Sequence, residues 1–97
     1  MKLLAGNEIA YRNRHEAIWP ELKEILHAAG ISNYSIFLDT ETSTLFASLE
    51  ATDESFITEL PLQPVMQEWW KFMKDIMETN NDGSPVSISL TEVFHLP

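Results

Sequence analysis

Apolar and aromatic positions recur along this chain with two different periods, and the switches between them mark out the elements. Tyr11, His15, Ile18, Trp19, Leu22, Ile25, Leu26 and Ala29 follow a helical spacing, with Asn7 placed as an N-cap and Gly30 as a terminator. This predicts a helix over residues 8–29. Pro20 lies inside it, and a proline removes one backbone donor and crowds the preceding turn, so a kink or two abutting helices are expected there. Residues 31–38 are rich in β-formers and predict a strand, with Tyr34, Ile36 and Leu38 on one face and Ser35 and Phe37 on the other. Residues 44–50 predict a second strand, and the short polar link between the two makes an antiparallel hairpin.

Thr52-Asp53-Glu54 opens a short helix that runs through Phe56, Ile57 and Leu60 until Pro61 and Pro64 break it. A longer helix is expected from Val65 to about Met77. Its apolar residues Val65, Met66, Trp69, Trp70, Phe72, Met73, Ile76 and Met77 spread over more than one side, which requires a core on one side and a pocket or partner on another. Residues 80–85 are turn-rich, and Val86–Leu96 predict a closing strand. Helix, strand, strand, helix, strand is the order of a ferredoxin-like α+β unit, an antiparallel sheet with helices on one face, whose first strand is largely missing. Only Lys2–Ala5 are left as a candidate for it. The 97 residues make one domain, 1–97, and a core this small favours pairing with a second copy.

Composition narrows the partners. With 15 acidic against 6 basic residues the formal charge is -9, which opposes nucleic acid and anionic substrates and suits a small neutral ligand. The absence of cysteine removes thiol catalysis, thiolate metal sites and disulfides. No apolar run approaches the ~20 residues of a membrane span, and the N-terminus lacks a signal-like apolar stretch, so the chain reads as soluble and cytoplasmic, without a membrane partner. His-x-x-x-His, Gly-x-Ser-x-Gly and glycine-rich phosphate loops are all absent, and no metal site is assigned.

Candidate chemistry concentrates in aromatic positions. Tyr11, His15 and Trp19 are spaced four apart and share one helical stripe, which puts a proton-carrying imidazole between a phenol and an indole. The same spacing also describes a half-buried histidine at a helix–sheet junction. Trp69 and Trp70 point about 100° apart on a helix, so one of them lines something other than the core; indole and phenol groups suit neutral sugars, stacking on C–H faces and donating to hydroxyls. A core or dimer-interface role is the alternative for that pair. Tyr34 sits at the apolar parity of its strand and points either into the core or into a pocket. His27 and His95 are read as a helix-end cation and a surface residue.

Four segments together resemble the L-rhamnose mutarotase family: Tyr11 to Leu22 (Tyr-Arg-Asn-Arg-His-Glu-Ala-Ile-Trp-Pro-Glu-Leu), Asn33 to Leu38, Trp69-Trp70-Lys71-Phe72-Met73, and Asp82 to Val86 with Val93 to Pro97. The resemblance implies a ferredoxin-like fold of the dimeric α/β-barrel type, a homodimer, and a sugar pocket between the helices and the concave sheet of each protomer. It implies an isomerase of rhamnose metabolism that exchanges the α and β anomers of L-rhamnose or a related deoxyhexose by acid–base ring opening, with no cofactor. By position, His15 resembles the family's proton donor, and Tyr11, Tyr34, Trp69 and Trp70 resemble its substrate-binding residues. Family members usually begin several residues earlier with an apolar strand, so either a start placed too late or a slot filled by another chain or by rearrangement is expected. Two other classes fit paired ferredoxin-like chains: a small oxygenase, with His15 as a heme ligand, and a non-catalytic sugar-binding module.

Overall fold

Pro20 divides the first helical stretch into α1 (Glu8–Glu16) and α2 (Pro20–Ala28). It occupies the first position of α2, where a missing N–H costs no intrahelical bond. The computed structural model describes all residues from Met1 to Pro97. Asn7 precedes α1 but does not cap it with its side chain; the amide turns back and donates to the carbonyls of Leu4 (3.0 Å) and Ala5 (3.3 Å). Gly30 takes φ +77°, and a Cβ there would collide with the Thr52 side chain, so the turn into the sheet admits only glycine.

Strands β1 (Ile31–Asp39) and β2 (Thr44–Ala51) form the predicted antiparallel hairpin, with Leu38 opposite Leu45 and Phe37 opposite Phe46. The register shifts by one residue between Ser32 and Ser35, where Asn33 adopts φ 49° and donates from its amide to Glu50 Oε2 at 2.9 Å. This bulge reverses the alternation of the strand. Ile31 therefore shares the inner face with Tyr34, Ile36 and Leu38 although strict alternation would put it on the other side.

Asp53 caps α3 (Glu54–Glu59), accepting from the Ser55 N–H at 2.9 Å. A 3₁₀ turn, Leu60–Leu62, leads into α4 (Pro64–Met73). That helix stops four residues before the predicted Met77. Residues 76–78 leave it to bond the N-terminus instead: Leu4 N–H donates to Ile76 O (2.8 Å), and Glu78 N–H donates to Lys2 O (3.0 Å). On the other side Leu3 N–H donates to Ser43 O (2.9 Å) and Leu45 N–H to Met1 O (2.8 Å). Met1–Leu4 thus lie between β2 and residues 76–78, and Leu3 is buried. The slot expected to be short of a strand is filled by this chain's own first residues.

The predicted closing strand does not form. Residues 87–97 adopt neither helix nor strand, and Ile88, Leu90, Val93 and Phe94 are exposed. Alternating apolar residues favour a strand only where an edge is there to pair with, and this segment meets none within the chain.

The core gathers Leu3, Tyr11, Leu22, Leu45, Trp69, Met73, Ile76 and Met77, so the helices lie on the inner face of the hairpin. A side chain buried in this way contributes roughly 1.5–3 kcal/mol relative to exposure. A smaller cluster of Ala29, Ile31 and Leu60 secures the hairpin base. Phe37 and Phe46, on the outer face, are left uncovered. The accessible surface is 7214 Å², against about 5,700 Å² for a compact monomer of this mass. The result is an α+β architecture, a two-stranded antiparallel sheet with four helices.

Candidate active site

Tyr11 and His15 lie one turn apart on α1, and their rings stack with centroids 4.2 Å apart and planes at 26°. The imidazole meets Trp69 of α4 edge-on, at 5.4 Å and 88°. Trp19, in the link between α1 and α2, contacts Trp69 at 5.1 Å, and Phe72 lies 5.5 Å from Trp19 and 5.6 Å from Trp69. Pro20 sets this arrangement, because the break it imposes lets Trp19 turn toward α4 instead of continuing the stripe of α1.

A cleft of about 1030 Å³ opens between this aromatic wall and the inner face of β1. Tyr11, His15, Tyr34, Trp69 and Trp70 all line it, so the structure brings together all five residues singled out in the sequence. Tyr34 reaches the cleft on the same strand face as Ile36 and Leu38, as alternation along β1 predicts. Trp69 is 7% exposed and belongs to both core and cleft, whereas Trp70 is half-buried at the cleft wall. Leu38 and Leu45 supply an apolar floor.

His15 Nδ1 is 3.0 Å from the Tyr11 carbonyl oxygen. A carbonyl can only accept, so Nδ1 carries the proton and Nε2 holds the free lone pair. Burial lowers the His15 pKa from 6.5, against a smaller opposing pull from the same carbonyl, so the ring is neutral at pH 7. Burial, reinforced by nearby Tyr34, pushes the Tyr11 phenol well above its usual range, and burial also raises Tyr34. Both phenols stay protonated and can donate to a ligand. The site is thus an uncharged imidazole base flanked by two phenols and two indoles.

His27 and His95 lie elsewhere; His95 faces Glu92 at 4.0 Å on the exposed C-terminal segment. No group of three or more metal-ligating side chains converges anywhere in the chain. Sequence reasoning passed over Phe72, Arg14 and Asp75. Arg14 Nη1 donates to the Phe72 carbonyl (2.8 Å) and to Asp75 Oδ1 (2.8 Å), while Nη2 donates to Asp75 Oδ2 (3.1 Å). Arg14 adjoins His15, but Asp75 is 61 residues away and no spacing rule links them.

Fold and site together define an α+β protein with an aromatic-walled cleft and a half-buried histidine in that wall. A family model described as L-rhamnose mutarotase matches residues 1–96. An L-rhamnose mutarotase of Agrobacterium fabrum is 55% identical over 97 residues, covering 100% of this chain and 91% of that protein. The one from Brucella anthropi is 54% identical, covering 100% and 92%. A crystal structure of L-rhamnose mutarotase from Formosa agariphila superposes with a TM-score of 0.93 at 47% identity, covering 100% of this chain and 93% of that one. The chain belongs to the L-rhamnose mutarotase family, and so to the carbohydrate isomerases that exchange anomers. The oxygenase and the non-catalytic binding module are set aside by that membership.

Proposed function

We propose that this protein interconverts the α and β anomers of L-rhamnose, with His15 as the proton carrier. The observation that carries this role is the neutral imidazole at the cleft wall, held at Nδ1 by the Tyr11 carbonyl and sandwiched between Tyr11 and Trp69. Nε2 accepts the proton of the anomeric hydroxyl as the bond between C1 and the ring oxygen breaks. The ring oxygen leaves with the electron pair of that bond and takes a proton from the imidazolium, directly or through a water. Rotation about the C1–C2 bond and the reverse transfers close the ring on the other carbonyl face. The protons balance, and no redox partner is involved. The role of proton donor that the family resemblance gives His15 then belongs to the imidazolium formed in the first half of the cycle.

The Tyr11 carbonyl supports that imidazolium while it lasts, since a hydrogen bond to the charged form stabilises it. Tyr11 and Tyr34 donate to sugar hydroxyls, and Trp69 and Trp70 cover the apolar side of the ring, methyl group included. General acid–base help of this kind contributes about 10²–10⁴-fold per group.

The working unit in this reading is a homodimer. The outer sheet face with Phe37 and Phe46, together with Ile88, Leu90, Val93 and Phe94, forms its interface; the apolar character of both patches and the surface excess support that reading. No helix is long and apolar enough to cross a membrane; a cytoplasmic location completes the reading, and cell fractionation tests it. Proton NMR exchange spectroscopy on equilibrated L-rhamnose tests the activity. Exchange faster with the protein than in buffer, and returned to the buffer rate by His15→Ala, is the expected result; an unchanged rate with the wild-type protein would reject it.

A further inference from the structure

From the ion pair that joins α1 to the end of α4, we infer that Arg14 and Asp75 are positioning residues for His15. The inference rests on the proton-carrier reading of His15, and on three features of the structure.

First, α1 has little else to hold it. Tyr11 is its one buried residue, and no side chain caps its N-terminus. A helix anchored at a single buried position can pivot about it, and His15 lies one turn beyond that pivot.

Second, Arg14 spans the gap to α4 with three hydrogen bonds from one planar group. Two go to the Asp75 carboxylate, and the third goes to the Phe72 carbonyl in the last turn of α4. The guanidinium carbon also lies 4.6 Å from the centroid of the Phe72 ring. Phe72 touches Trp69 and Trp69 touches His15, so the contacts close a loop from Arg14 through α4 and back to the residue after Arg14. A fork of this kind fixes direction as well as distance, which lysine would not do.

Third, Asp75 stands where a helix does not favour a carboxylate. It follows the C-terminal end of α4, whose unpaired carbonyls carry partial negative charge. Arg14 offsets that repulsion, and hydrogen bonding to it holds the Asp75 pKa below the usual carboxylate range. Neither residue is among the aromatic groups that face the sugar, and the Asp75 side chain is 66% exposed. Their effect on the reaction must pass through the placement of His15.

The test is a double-mutant cycle of Arg14→Gln, Asp75→Asn and the pair. Anomer exchange gives kcat and KM, and ring-nitrogen NMR gives the His15 titration and tautomer. We expect each single variant to lower kcat about 10-fold with KM changed less than about 3-fold, since small misplacements of a reacting group cost rate before binding. The double variant should lose no more than the worse single one. The His15 pKa should move back up toward its ordinary value as the ring loses its burial. Arg14→Lys, which keeps the charge and loses the fork, should behave like Arg14→Gln in kcat. Equal kcat in the wild-type and single variants, or a loss of melting temperature with the His15 titration unmoved, would overturn the inference. If the wild-type protein does not accelerate exchange at all, the function is refuted, while the His15 titration still reads whether the pair positions that ring.

Discussion

Two uncovered apolar surfaces of this protein differ in the tips of their side chains. The cleft between α1, α4 and β1 is lined by Tyr11, Tyr34, Trp69 and Trp70, which pair an apolar body with a hydrogen-bond donor. The outer sheet face and the C-terminal segment expose Phe37, Phe46, Ile88, Leu90, Val93 and Phe94, which have no polar atom beyond the backbone. Apolar exposure alone does not separate a ligand site from a protein interface. Polar tips do, because a sugar needs each hydroxyl satisfied while a protein surface can be met by shape and burial.

That contrast can be broken in four ways. The largest effect is expected in the cleft, where His15→Ala should cut the rate of anomer exchange by about 10²–10⁴-fold while leaving the dimer and sugar binding intact. Exchange spectroscopy with sedimentation equilibrium reads both; loss of sugar binding with little change in rate would reverse the assignment of roles. On the other surface, Phe37→Asp with Phe94→Asp should weaken the dimer by about 100-fold or more, as burying two unpaired carboxylates in an interface would. A sedimentation profile unchanged by both substitutions would show that these faces do not pair.

A smaller effect is expected from Trp70→Ala. Removing one stacking face should raise KM about 10-fold with little change in kcat, measured in the same exchange assay. A fall in kcat with KM constant would place Trp70 in the chemistry instead.

The gentlest probe is pH. His15 is held neutral by burial and bonds the Tyr11 carbonyl, while Glu8, Arg12 and Glu16 of α1, Lys23 of α2 and Tyr34 of β1 line the same cleft. Protonation of Nε2 removes the base, so the rate should fall as pH drops, with a midpoint below 6.5. Stability should follow the same sign. The unfolded chain takes up this proton first, so the contribution of His15 is complete above its unfolded value and is lost as pH falls from there toward the folded one. A rate profile flat between about pH 7.5 and 5 would show that His15 does not act as the base.

Much of the fold was legible because short-range rules governed it. Pro20 could only begin a helix or break one, Gly30 could only end a helix where it does, and the alternation of residues 31–38 and 44–50 could only be satisfied as a hairpin. The site residues were legible for a related reason: four-residue spacing puts Tyr11 and His15 on one stripe whatever α1 packs against. Two expectations failed where a partner outside the local window decided the outcome. α4 ends at Met73 because residues 76–78 bond to Met1–Leu4, and no strand forms after Val86 because residues 87–96 pair with no other segment, the open edge of β1 included.

The sequence by itself determined the helix breaks, the hairpin, and the aromatic and imidazole side chains proposed here to bind the sugar and to carry its protons. All of these follow from backbone sterics and side-chain chemistry within a few residues. Only the tertiary structure decided that β1 bulges at Asn33 and so brings Ile31 onto the inner face, that Met1–Leu4 fill the slot beside β2, and that Arg14 reaches Asp75 across 61 residues to hold α1 against α4. Each of those depends on which distant backbone or charge is brought within hydrogen-bond reach, and that is settled by the packing of the whole chain.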